Sequence, residues 1–270
     1  MKIVVFDLDE TLGYFVEFAV FWDCLNLYLS KNNRYELQQS DFINILDLYP
    51  EFLRPNIINI LDYLKNKKQT QICEKLMIYT NNQGHQSWTK YIMSYFEKKM
   101  NYKLFDKVIS AFKINGKQIE IYRTTNNKTY NDFIRCTLLP KNAEICYVDD
   151  TYYPKMINEN VYYINIKPYI YDLSFKEINK RFLESNIGKT LIAKEKIDCF
   201  TNFIEKNSNQ YHFYATIKDE EDYKIDVILS KRILYHLQVF FNNTQLIYKN
   251  KTRKKFSDHK IKNKSMRHSK

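Results

Sequence analysis

Over the first 170 positions, short apolar runs alternate with longer segments of helical pattern. The runs at 2–6 (KIVVF), 75–79 (KLMIY), 107–111 (KVISA), 144–148 (EICYV) and 161–166 (VYYINI) have strand length and are apolar nearly throughout. That is the pattern of strands covered on both faces. Residues 16–29, 56–66, 87–98 and 131–137, lying between them, read as helices. This alternation predicts an α/β fold: a three-layer, Rossmann-like parallel sheet with helices on both faces. In such sheets ligands gather beyond the carboxyl ends of the strands. Asp7, Thr80 and Asp149 each follow a predicted strand, so the pattern brings three polar residues to one edge.

After position 172 the pattern changes. Residues 174–184, 192–204 and 230–241 read as helices and 211–217 as a strand, and none carries a chemical motif. The expected organisation is a main domain over 1–185, a mainly helical accessory segment over 186–248, and a basic tail over 249–270. The tail has no apolar periodicity and is expected to be disordered. Its ten Lys and Arg stand against Asp258 alone, so it carries +9 of the net +11 and leaves +2 over the other 248 residues. The basic character therefore belongs to the tail, where it offers a solvated end, a nuclear-targeting stretch around 251–255, or a contact for nucleic acid.

Composition narrows the class further. At 44% hydrophobic and 16% aromatic over 270 residues, the chain can build a sizeable core. Four Gly and five Pro exclude collagen-like and low-complexity readings. No apolar run approaches a membrane span, and Asp7, Asp9 and Glu10 interrupt the only apolar stretch near the N-terminus, so neither a membrane partner nor a signal peptide is expected. The five Cys are dispersed with no CxxC pair, which points to reduced thiols in an intracellular protein, cytoplasmic or nuclear.

The sharpest feature is Asp7-Leu8-Asp9-Glu10-Thr11-Leu12, directly after the first strand. Carboxylates held close raise each other's pKa, and no cation lies nearby in sequence to offset Asp7 and Asp9. A second acidic pair, Asp149-Asp150, follows EICYV in the same way. Two acidic pairs at the tips of parallel strands suit a hard divalent cation, Mg²⁺, with substrate phosphate completing its shell.

These residues resemble the haloacid dehalogenase superfamily of aspartate-nucleophile phosphatases. Its DxDxT motif is matched by Asp7, Asp9 and Thr11, its strand-ending Thr by Thr80, and its acidic pair by Asp149 and Asp150. The form FDLDETL, with Leu53-Arg54-Pro55 ahead of the second motif, is similar to the NLI-interacting-factor-like branch that includes the CTD phosphatases. The resemblance covers about residues 1–170. It implies that Asp7 is the nucleophile, that Asp9 is the general acid and base, and that Asp7, Asp9 (through its carbonyl), Asp149 and Asp150 serve the metal. Thr11, Thr80, Asn81 and a lysine would bind the phosphoryl group, with Thr80 and the lysine also catalytic. Lys128, entering a helix ahead of the acidic pair, fits the motif order; Lys113 and Lys117, after the strand KVISA, are the alternatives.

The segments between these motifs leave little chain for a full lid over the site. An open site suits phosphoserine or phosphothreonine on a protein. Thr80-Asn81-Asn82-Gln83 also approaches, with one extra Asn, the TNQ element of polynucleotide 3′-phosphatases, the second reading. A phosphatase-like binding module is the third. Asn82, Gln83 and His85 lie close enough in sequence to Thr80 to watch. Arg54-Pro55 reads as a helix start, with Pro in the first turn.

Overall fold

The computed structural model describes residues 1–32, 35–140, 142–208 and 218–242. In chain order the elements are β1 (Lys2–Phe6), α1 (Val16–Asn32), α2 (Gln39–Leu46), α3 (Ile57–Gln69), β2 (Lys75–Tyr79), α4 (Gln86–Met100), β3 (Lys107–Ile109), the short hairpin β4 (Lys113–Ile114) and β5 (Lys117–Gln118), α5 (Tyr130–Thr137), β6 (Glu144–Asp149), β7 (Val161–Asn165), α6 (Phe175–Glu184), α7 (Asn186–Leu191), α8 (Ile197–Ser208) and α9 (Glu220–Asn242). The five long strands form one parallel sheet in the order β3-β2-β1-β6-β7. This is the α/β architecture the apolar runs predict. The predicted strand at 211–217 and the basic tail lie outside the described residues.

The strands place their side chains by two-residue alternation. Val4 and Phe6, Leu76 and Ile78, and Cys146 and Val148 enter the larger core, which the helices on that face complete. Ile3 and Val5, Met77 and Tyr79, and Ile145 and Tyr147 enter a smaller core closed by Phe133 and Cys136 of α5. Continuing the same alternation one step past β1, and to the end of β6, turns Asp7 and Asp149 toward the α5 side.

Packing is continuous across residue 185. Ser185 ends α6 and its hydroxyl caps α7, accepting from Gly188 N–H at 3.0 Å. Phe182, Phe200, Ile204, Ile233, Leu237 and Phe240 belong to the same apolar core as α1–α4. Tyr28 of α1 meets Phe200 of α8 edge to face at 4.9 Å, an arrangement worth about 1 kcal/mol beyond area burial. The 230–241 helix begins ten residues earlier than its apolar spacing predicts. Asp219 accepts from Asp222 N–H at 2.8 Å, and an acidic first turn favours the start of α9. Its far end is held by Lys2, whose ammonium donates to the Phe240 and Phe241 carbonyls at 2.6 and 3.1 Å.

Candidate active site

The carboxyl edge of the sheet is built from four loops. Asp7 leaves β1 with its N–H on the Val148 carbonyl at 2.9 Å, which locks the first loop to β6. That loop then turns sharply: Glu10 adopts a left-handed φ of 57°, and its N–H reaches the Gly13 carbonyl at 2.7 Å. Gly13 passes so close to the returning chain that a Cβ there would lie 2.4 Å from the Phe52 carbonyl oxygen. Tyr14 N–H and Arg54 N–H bond Phe52 and Leu12 at 2.7 and 3.0 Å, closing a hairpin whose insertion carries α1 and α2. Those two helices pack against α4 and α6–α8.

Arg54 does more than open a helix. It is buried, and its Nε donates to the Thr11 carbonyl at 2.6 Å while Nη2 donates to the Glu10 and Lys167 carbonyls at 2.5 and 2.9 Å. Burial lowers its pKa to about 10, which leaves it charged at neutral pH. The guanidinium thus ties the acidic loop to the segment after β7.

Lys128 sits between two carboxylates, 2.5 Å from Asp7 Oδ1 and 2.7 Å from Asp149 Oδ2, and is 1% exposed. It precedes Thr129, whose hydroxyl caps α5 by accepting from Asp132 N–H at 3.0 Å. The rings of Tyr79 and Tyr153 flank the ammonium at 5.8 and 5.3 Å. Lys113 and Lys117 are exposed on the β4–β5 hairpin. Asp149 also accepts from the Tyr147 hydroxyl and, at 2.8 Å, from Thr151 N–H.

Oxygens of Asp7, Asp149 and Asp150 lie within 4.8 Å of one another, a grouping that could hold a metal ion. The electrostatics agree with the geometry. Burial pushes the Asp7 carboxyl well up; Lys128 opposes this, while Asp149 and Asp9 add to it. Asp149 is raised by burial against the pull of Lys128. Burial alone would lower Lys128, but the attraction of Asp7 and Asp149 prevails and raises it. Two buried carboxylates share one ammonium, with Asp150 beside them, and a divalent cation could offset the remaining negative charge.

The Asp9 carboxylate stands outside that group. It is half-buried and accepts from the Asn82 side-chain amide at 2.9 Å; burial raises its pKa and the amide bond lowers it. Thr11 commits its hydroxyl to Asp150, donating to Oδ1 at 2.9 Å and accepting from Asp150 N–H at 3.2 Å, so it braces the acidic pair. Thr80 accepts from Asn82 N–H at 2.9 Å, and among the described residues no acceptor takes its hydroxyl proton. Asn81 donates to the Tyr153 hydroxyl at 3.0 Å. His85 caps α4 through Nδ1, and Gln83 is exposed.

Three further residues join the site: Tyr147, Tyr153 and Arg123. Tyr147 had a signal, since alternation along β6 places it on the face of Asp149. Tyr153 and the buried Arg123, which bonds both Thr80 and Asn81, come from irregular segments with no period to follow. Comparison with protein-family models, curated proteins and solved structures finds no match for this chain.

Proposed function

We propose that the chain is a Mg²⁺-dependent phosphomonoesterase of the haloacid-dehalogenase type, working through an aspartyl-phosphate on Asp7. The observation that carries this reading is the buried Lys128 bridging Asp7 and Asp149 beside a three-carboxylate group. Asp7, Asp149 and Asp150 supply the hard oxygen donors that Mg²⁺ prefers, and Mg²⁺ when bound would offset charge on the phosphoryl group.

Lys128 holds Oδ1 of Asp7, and Oδ2 attacks phosphorus while the phosphoester oxygen departs. Asp9 gives that oxygen its proton, consistent with a carboxyl raised by burial. The Thr80 hydroxyl donates to a phosphoryl oxygen, and Lys128 offsets charge as it develops there. Asp9, now a carboxylate, takes a proton from water. The resulting hydroxide attacks phosphorus, and phosphate leaves with Asp7 restored. Asp9, Asn81, Asn82 and Asp150 are each half-exposed, so the mouth stays open to a phosphoserine or phosphothreonine on a protein.

The test is hydrolysis of para-nitrophenyl phosphate with and without Mg²⁺, comparing wild type with Asp7→Asn. Mg²⁺-dependent turnover lost in Asp7→Asn is the expected result. Equal rates in both proteins would remove Asp7 as nucleophile. Phosphopeptides and a 3′-phosphorylated oligonucleotide, assayed next, separate the two substrate classes.

A further inference from the structure

One buried cation at the site has no part in that chemistry. Arg123 lies between β5 and α5 and is 1% exposed. Its Nη1 donates to the Thr80 carbonyl at 3.1 Å and the Ser110 carbonyl at 2.7 Å. Its Nη2 donates to Asn81 Oδ1 at 2.7 Å and the Asn126 carbonyl at 2.9 Å. The guanidinium stands 4.9 Å from the centroid of the Tyr79 ring. Among the described residues no carboxylate pairs with it. A buried charge facing only neutral acceptors loses hydration without gaining an ion pair, so its effect is to fix geometry.

The segments it joins are the ones that deliver the phosphoryl-binding groups. Thr80 and Asn81 leave β2, Ser110 leaves β3, and Asn126 stands two residues ahead of Lys128. A second route reaches the same lysine: Asn81, its amide oxygen held by Arg123, gives its N–H to Tyr153, and the Tyr153 ring packs on Lys128. We propose that Arg123 is a positioning residue, the clamp that holds the Thr80–Asn81 loop and the Lys128 loop in one arrangement around Asp7. Its catalytic consequence rests on the phosphatase reading above. A lysine could not replace it, because one ammonium has three donors on a flexible stem, whereas the planar fork reaches four acceptors at once.

Arg123→Lys keeps the charge and loses the fork. With para-nitrophenyl phosphate, well below the variant's melting temperature, kcat should fall at least about tenfold, toward the roughly 100-fold that a misplacement of about 1 Å costs, with KM little changed. In Arg123→Ala, sub-denaturing guanidinium should restore part of kcat, and ammonium at the same concentration should not. Tyr153→Phe, which removes only the hydroxyl that takes the Asn81 amide, should shift kcat in the same direction by less, and serves if the Arg123 variants fold poorly. A structural role alone would lower the melting temperature and leave kcat per folded molecule within twofold of wild type, which would overturn the assignment. A crystal structure of Arg123→Lys reads the clamp without turnover. Thr80 or Lys128 displaced from Asp7 supports it, and both unmoved defeats it. A wild type inactive on every phosphomonoester would defeat the phosphatase reading and leave this structural arm standing.

Discussion

Asp7 and Asp149 share one ammonium: Lys128 lies 2.5 Å from the first carboxylate and 2.7 Å from the second, with all three side chains removed from solvent. The pairing follows from the sheet. Parallel β1 and β6 run in register, Phe6 opposite Val148, so the next positions bring the two carboxylates together on the face that α5 covers. Lys128, immediately ahead of the α5 cap, is the cation that pairs with both.

Removing that cation leaves two buried carboxylates facing each other. Lys128→Met should lose turnover and, in metal-free buffer at pH 7, about 3 kcal/mol of stability, the scale for a buried pair stripped of one partner. Mg²⁺ should then recover more stability in the variant than in wild type, because it takes over part of the lost compensation. Urea unfolding with and without Mg²⁺ measures both quantities. An unchanged metal-free midpoint would contradict the electrostatic account.

The three-carboxylate grouping makes a separable prediction about metal. A cation bound only by the folded protein stabilises it by RT ln(1 + [L]/Kd), about 2.7 kcal/mol at a hundred times Kd. Wild type should therefore melt higher in Mg²⁺ than in chelator. Asp149→Asn and Asp150→Asn should lose that shift, whereas Asp9→Asn should keep it, since the Asp9 side chain bonds Asn82 and stands outside the group. Loss of the shift in Asp9→Asn alone would redraw the site.

Much of this centre is legible in the chain, and the reason is periodicity. Apolar runs locate β1, β2 and β6, and each points to a polar residue at its end, which is how Asp7, Thr80 and Asp149 announce themselves. Lys128 is told from Lys113 and Lys117 by the fold, which sets it against Asp7 and Asp149 and leaves the other two exposed on the β4–β5 hairpin. What stays hidden depends on contacts distant in sequence. Thr11 reads as a phosphoryl-binding hydroxyl, and only the fold shows that hydroxyl bonded to Asp150. Arg54 looks like a helix start until its fork is seen on three carbonyls. Arg123 and Tyr153 sit in irregular segments where neither period operates. The early start of α9 is hidden for a related reason: its first turn is polar, and only the Asp219 cap marks where the helix begins.

Arg54 yields a prediction about folding. Arg54→Leu preserves bulk but leaves the Glu10, Thr11 and Lys167 carbonyls without their donor. Buried acceptors left unmade cost about 1–3 kcal/mol each, so the variant should lose at least about 3 kcal/mol in urea unfolding. Arg54→Lys should recover only part of this, since one ammonium cannot reproduce the planar fork. Equal stability of all three proteins would mean that the acidic loop holds itself.

A different carboxyl, Glu17, contributes to the pH dependence of the fold. Glu17, in the first turn of α1, is buried, and its pKa rises from the usual 4.5 to about 8; burial is the main cause, and hydrogen bonding and repulsion from Asp172 add to it. Folded Glu17 therefore keeps its proton across a window in which the unfolded chain has lost it. Folding takes up a proton there, so Glu17's contribution falls as pH rises from about 4.5 to about 8, by at most roughly 1.4 kcal/mol per pH unit. Glu17→Gln keeps the shape and a donor for Asp172 but cannot ionise. Its melting temperature should match wild type near pH 5 and exceed it near pH 8, and the difference between the two proteins isolates this group from the other raised carboxyls, those of the candidate site among them. Parallel melting curves from pH 5 to 8 would show that Glu17 ionises normally in the folded protein and that Asp172 exerts no hold on its proton.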